Sequence, residues 1–228
     1  MSTDSGFGKI KFFDDFLGHA EDETINWSQG VDGAGTAALQ LLDNGVYRLT
    51  TATTSGNRIG ICTPLQWEAE NGGPLIFEAR VKSVTAITAR AYFIGFSDTK
   101  HTSSTVAIPI EMSLEALTTN SANAVGFMYD TSCTYENWYC VGVKTDADAT
   151  PVNTGIPPAA AGTWQILRVV ASAEGDATFF IDGNYVGSVE EAVTASTKLQ
   201  GTVVVENRGT TTARILDVDY VYIEGGRS

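Results

Sequence analysis

The sequence predicts an all-β domain built as a two-sheet antiparallel sandwich, and three observations predict it. Short runs of β-branched and aromatic residues recur along the chain, broken by Gly, Asn and Asp. Several runs alternate apolar and polar residues with period two, while helical periodicity is nearly absent. Two tight-turn signals, one Asn-Gly and one Asp-Gly, join consecutive runs into hairpins.

The first hairpin signal, Asp43-Asn44-Gly45, lies between residues 39–42 and 46–50; the second, Asp182-Gly183-Asn184, lies between 177–181 and 185–189. Both pairs tolerate the positive φ angles of a tight hairpin turn. In residues 75–82, Leu75, Phe77, Ala79 and Val81 share one face, and Glu78, Arg80 and Lys82 share the other. That pattern belongs to a strand with one buried and one wet side. Further strands are expected at 89–97, 124–129, 138–144, 165–171, 202–206 and 214–224, with Leu216, Val218, Tyr220 and Tyr222 of the last pointing one way. Residues 112–118 have room for one or two helical turns. The opening Phe12-Phe13-Asp14-Asp15-Phe16 segment and the closing strand both carry core-type residues, and a neighbouring first and last strand is natural in a jelly roll.

No linker divides the chain, so residues 1–9 are expected to form a flexible N-terminal arm and residues 10–228 a single jelly-roll domain. Two strand-poor stretches, 98–123 and 145–162, are long enough to be expected to contact a partner or ligand. The 228 residues are 43% hydrophobic and 18% charged, which suits a core that needs no staples. A formal charge of −13, with basic residues scattered singly along the sequence, disfavours nucleic acid as a partner. No run of about 18 apolar residues is present, so no membrane helix is expected. The polar start, from Met1 to Lys11, lacks a signal-peptide pattern and predicts synthesis in a cytoplasm. The three cysteines lack zinc-type spacing. Cys133 and Cys140 are placed to face each other across a hairpin, where a disulfide is geometrically conceivable, but a reducing cytosol favours free thiols.

Several segments carry a resemblance. Gly162-Thr163-Trp164-Gln165-Ile166-Leu167-Arg168-Val169, followed by Gly175-Asp176-Ala177-Thr178-Phe179-Phe180-Ile181-Asp182-Gly183, resembles a signature of the concanavalin A-like lectin and laminin-G-like superfamily. Val218-Asp219-Tyr220-Val221 resembles its closing strand. The resemblance covers most of residues 10–224 and implies a concanavalin A-like jelly roll, with Trp164 plugging one end of the core. Residues 77–81, 124–130 and 137–143 are similar to a tailed-phage structural family of this fold, whose members decorate capsids or form head fibres.

Against that background each candidate site has a plain alternative. Glycoside hydrolases of this fold set an E-x-D-x-(x)-E strand in a groove, with two carboxylates about 5 Å apart. Glu68-Ala69-Glu70 and Asp217-Val218-Asp219 each supply two acids but no third, and the second pair lies on the closing strand. His19 and His101 fall in polar, loop-like stretches without the partners a lyase needs, and are expected to be solvated. Asp14 and Asp15 could meet Asp217 or Asp219 as hard oxygen donors for calcium, yet the full ligand spacing is missing. Tyr135, Trp138 and Tyr139 form an aromatic cluster suited either to the core or to a partner or glycan contact. No catalytic residue, cofactor or metal is expected. The reading favoured by the resemblance is a non-enzymatic virion protein that decorates or cements a capsid exterior. Its partner would be the major capsid protein, and it would act as a homo-oligomer. The alternative is a glycan-binding module or adhesin; a glycan-cleaving enzyme is argued against by the missing acid.

Overall fold

The computed structural model describes residues 9–17, 26–40, 45–70, 74–102, 104–209 and 211–226. In chain order the strands are β1 (Lys9–Asp14), β2 (Ser28–Asp32), β3 (Thr36–Gln40), β4 (Val46–Thr50), β5 (Arg58–Cys62) and β6 (Leu75–Ser83). They continue with β7 (Arg90–Ser97), β8 (Ile110–Ser113), β9 (Ala116–Thr119), β10 (Ala124–Asp130), β11 (Tyr139–Lys144) and β12 (Ala147–Asp148). The last six are β13 (Val152–Asn153), β14 (Gln165–Ala171), β15 (Ala177–Ile181), β16 (Asn184–Val189), β17 (Gln200–Asn207) and β18 (Ile215–Gly226). The described residues contain no helix, and hence none long and apolar enough to cross a membrane.

Sheet I runs β16-β15-β14-β6-β18-β4-β3 with β1 also on β18; sheet II runs β12-β11-β10-β7-β17-β5-β2 with β13 also on β11. All the pairings of β6 and β7 are antiparallel, and the first strand lies on the last with Lys9 opposite Gly226. The chain therefore folds as a concanavalin A-like jelly-roll sandwich. The hairpin from β15 to β16 turns at Asp182 and Gly183, with φ of 50° and 80°, as its Asp-Gly pair demands. The Asn-Gly hairpin joins β3 to β4, but Asp43 and Asn44 lie outside the described residues. So do residues 1–8 of the expected arm, while Lys9 already opens β1.

The two sheets differ in how many faces they bury. Sheet I alternates: in β6 and β14 every second residue is buried between the sheets and the others face outward. Sheet II is buried residue after residue along β7, β10 and β17. Since successive side chains project to opposite faces, its outer face needs a second apolar layer. Residues 98–123 supply it: Val106, Ile108, Ile110 and Met112 pack on Phe93, Met128, Val141 and Val204. Gly30 and Gly60 make room for this cover, because a Cβ on either would meet Val106 at 3.1 Å. Polar anchors fix its edge: Glu111 of β8 accepts Arg58 at 2.8 Å and pairs with Arg208 at 3.2 Å.

Three expectations are corrected. Residues 112–118 are not helical: β8 and β9 form a hairpin whose turn residues, Leu114 and Glu115, have φ of 48° and 62°. The deciding pattern is Ile110 and Met112, two apart, both pressed on sheet II. Trp164 does not plug the core but lies half-buried on the outside of sheet I, with Lys82 Nζ 4.3 Å and Arg80 Cζ 4.9 Å from its ring centre. Its neighbour Gln165 takes the inward position and accepts the indole N–H of the core residue Trp138 at 2.9 Å. In β18 the register shifts between Val218 and Tyr220, so Leu216, Val218, Val221 and Ile223 point inward, while Tyr220 and Tyr222 turn outward. Cys140 joins the inter-sheet core and Cys133 the layer outside sheet II, so the two thiols lie on opposite sides of one sheet and are not bridged.

These placements separate the two tryptophans energetically. Trp138→Ala is expected to lower unfolding free energy by about 3–5 kcal/mol through cavity formation. Trp164→Ala is expected to cost about 1 kcal/mol or less, the scale of an exposed cation–π contact. Urea unfolding of both variants checks the contrast.

Candidate binding surface

The open face of the molecule is the outer side of sheet I. The pleat sends Glu78, Arg80 and Lys82 of β6, Ile166, Arg168 and Val170 of β14, and Phe180 of β15 to that side. Register then aligns them in rows. Arg168 stands opposite Glu78 on one neighbour and Phe180 on the other. Glu78 stands opposite Tyr222, and Tyr222 opposite Phe13. The bulge in β18 is what brings Tyr220 and Tyr222 to this surface.

A groove of about 350 Å³ crosses the face, lined by Glu78, Ile166, Arg168, Val170, Phe180 and Gly183. At its rim the Phe180 and Tyr185 rings meet edge to face at 6.2 Å, and Tyr185 is 62% exposed. Further along, Phe13, 60% exposed, sits 5.8 Å from the Tyr220 ring. A second depression of about 560 Å³ lies between the edges of the two sheets, beside Ala147–Thr150 and Ser188–Glu191. No aromatic ring lines it.

The charges form a ladder of pairs. Arg48 donates two hydrogen bonds to Asp217, at 2.7 and 2.9 Å, and Lys82 approaches the same carboxylate at 3.4 Å. Arg80 holds Asp219 at 2.8 Å. The Tyr220 hydroxyl donates to Glu78 at 2.8 Å, while Arg168 stands 3.6 Å from its other oxygen. Burial first, and then Glu78, push the Tyr220 hydroxyl above the usual tyrosine range. Glu224 is held below the usual carboxylate range, chiefly by the Tyr222 hydroxyl and then by Lys11 and Lys9. Basic residues scattered singly in sequence thus converge here: Lys9, Lys11, Arg48, Arg80, Lys82 and Arg168 face four carboxylates, Glu78, Asp217, Asp219 and Glu224. Carboxylates held by cations and hydroxyls in this way present fixed hydrogen-bonding groups to a polar ligand.

The residues singled out from sequence are dispersed. Trp138 is in the inter-sheet core, Tyr139 is buried in the layer outside sheet II, and Tyr135 alone of the three is exposed, at 61%. Glu68 is buried and Glu70 exposed, on a segment bridged through Trp67 to Leu199, the residue before β17. Asp14 accepts the Phe16 N–H at 2.8 Å and the Trp27 indole N–H at 2.7 Å. Asp14 is therefore occupied as a turn cap, and among the described residues no three His, Cys, Asp or Glu side chains converge as metal donors. His19 lies outside the described residues. Sequence reasoning missed the surface itself, although the signal was present in the polar positions of 75–82 and the alternation in 165–171.

His101 is a correction. It is 1% exposed, not solvated, and its Nε2 lies 2.7 Å from the Thr202 hydroxyl. That hydroxyl donates to the Ile61 carbonyl at 3.2 Å, so its oxygen accepts from Nε2–H, and Nδ1 faces no partner. Protonation would bury a charge with an unanswered donor, and burial pulls the pKa down to about 4.

No protein-family profile matches the chain, and no curated protein matches it in sequence. Solved structures match in fold. A Bacillus licheniformis β-glucanase superposes with a TM-score of 0.61 at 11% identity, covering 93% of this chain and 97% of that one. The carbohydrate recognition domain of Emp47p gives 0.59 at 11% identity, covering 94% of each chain. Peanut lectin gives 0.57 at 10% identity, covering 95% and 97%. The class defined is the concanavalin A-like sandwich, shared by lectins and polysaccharide-cleaving enzymes. At these identities the likeness establishes fold alone.

The buried histidine makes a pH prediction. Its folded pKa of about 4 lies below the unfolded value near 6.5, so the unfolded state takes the proton first as pH falls. Stability linked to His101 is fully present above about pH 6.5 and is lost between there and about pH 4. Relative to His101→Gln, the wild type should lose on the order of 3 kcal/mol more across that window, read from urea unfolding at each pH.

Proposed function

We propose that this domain is a non-catalytic glycan-binding module whose sugar-facing surface is the outer side of sheet I. The observation that carries the reading is the groove of about 350 Å³ with an apolar floor, an aromatic rim at Phe180 and Tyr185, and the Arg168–Glu78 pair along one wall. A pyranose offers an apolar C–H face and a polar edge. Aromatic rings take the first and charged hydrogen-bonding groups the second. The fold supports the reading in kind, since a lectin and a carbohydrate recognition domain share it.

Two features speak for binding without cleavage. Glu78, Asp217, Asp219 and Glu224 on this face are each held by a cation or a tyrosine hydroxyl, and the outer face of sheet II is filled by residues 98–123. The segments that resemble phage virion proteins are β6, β10 and β11 with their flanks, most of whose residues are buried. Those patterns therefore bear on the fold and not on a partner such as a major capsid protein.

Screening the purified domain on a glycan array and for release of reducing ends tests the proposal. Binding without cleavage is the expected outcome. Tyr185→Ala should weaken that binding at least tenfold, equivalent to about 1.4 kcal/mol, while leaving the melting temperature unchanged. Absence of binding across the array, or reproducible cleavage, would overturn it.

A further inference from the structure

We infer that the preferred ligand of this surface is an acidic sugar, recognised through its carboxylate by Arg168. The inference rests on the glycan-binding reading and adds to it the chemical class of the glycan. The chain as a whole carries −13, yet among the described residues six cations are paired on the outer face of sheet I against four carboxylates, with Asp182 a fifth at the groove's end. A local positive field on a negative molecule directs an anionic ligand to one side of it, over the roughly 8 Å reach that physiological salt permits.

Within that face, Arg168 is the cation that lines the groove, and its guanidinium has capacity left. Arg48 spends its guanidinium on two hydrogen bonds to Asp217, and Arg80 is engaged with Asp219 at 2.8 Å. Arg168 is 42% exposed, and its contact with Glu78, at 3.6 Å, is longer than a hydrogen bond. The Glu78 oxygen nearest Tyr220 is already taken by that hydroxyl. The Arg168 fork therefore keeps donors for a planar carboxylate, the partner it fits in bidentate fashion.

The spacing suits a uronate. Phe180 stands directly opposite Arg168 across the β14–β15 pair, where facing Cβ atoms lie about 4.5–5.5 Å apart. In a uronic acid the carboxylate is one bond from the ring. A sugar whose C–H face rests on Ile166, Val170 and the Phe180 ring thus brings its carboxylate to Arg168. A sulfate ester would satisfy the field but has no planar fork to match, so sulfated and carboxylated polymers separate field from recognition.

The test is equilibrium binding by calorimetry to polygalacturonate, alginate and hyaluronan, to the methyl-esterified form of each, and to dextran sulfate. At least one uronan should bind tenfold or more tightly than its own ester and than dextran sulfate, and more weakly as salt is raised. Arg168→Gln should abolish the preference for acid over ester, weakening the acid at least tenfold more than the ester. Tyr185→Ala should weaken both forms alike, and Lys144→Gln, away from the face, should change neither. Equal binding of acid and ester would overturn the inference and leave the glycan-binding proposal standing. Dextran sulfate matching the best uronan would overturn carboxylate recognition in favour of unspecific attraction. Failure of every uronan overturns the inference; failure of neutral array glycans as well removes the proposal beneath it.

Discussion

Burial of β7, β10 and β17 on both faces governs the arrangement of the rest. A strand whose every residue is enclosed, most of them apolar, demands cover on two sides, and the inter-sheet core provides only one. Residues 98–123 are consumed as the other, laid over the sheet as a hairpin and an extended run that wedge Val106 against Gly30 and Gly60. One sheet is thereby sealed, and the solvent-facing chemistry of the sandwich concentrates on the sheet left open. The sealed sheet also joins strands remote in sequence, such as β7 with β17, so its core matures only when nearly the whole chain is in place.

The cover is held by charge as well as by apolar contact. Arg58 and Arg208 reach from sheet II to Glu111 on the hairpin, and the same two cations meet Glu206 and Asp130 in the sheet below. Burial raises the Glu206 carboxyl pKa, and the two guanidiniums oppose that. Such a network contributes little net stability over apolar packing, yet removing one member leaves a buried charge unanswered. Its value lies in fixing where the hairpin sits, because apolar surfaces alone would allow it to slide.

Legibility in the sequence followed the rule of period two. Strands β6 and β14 announced themselves because one face is wet, and the β15–β16 hairpin because Asp-Gly fits its turn. Where both faces are covered the alternation disappears, as in β5, and the edge strand β2 offers only Val31 as a large apolar residue, so neither gave a pattern to recognise. The β8–β9 hairpin hid for a different reason: its turn uses Leu114 and Glu115 in a backbone region that Gly or Asn normally occupies. The aromatic run from Tyr135 to Tyr139 suggested a cluster, but its neighbours in sequence point to core, outer layer and solvent. The charged face was invisible because its cations come from four strands and meet only through register.

The bulge in β18 has an evolutionary reading. Alternation is regular up to Val218 and again from Tyr220 onward, so Asp219 is a single inserted residue that leaves the inward set of Leu216, Val218, Val221 and Ile223 intact. Its loss would restore an unbroken ladder without turning one core side chain toward water. What would change is the surface, where Arg80 would be released from Asp219 and the potential of the face would rise. One codon, neutral to the core, therefore acts as a dial on the charge of the exposed sheet, and homologues gaining or losing it would diverge in ligand preference before they diverged in fold.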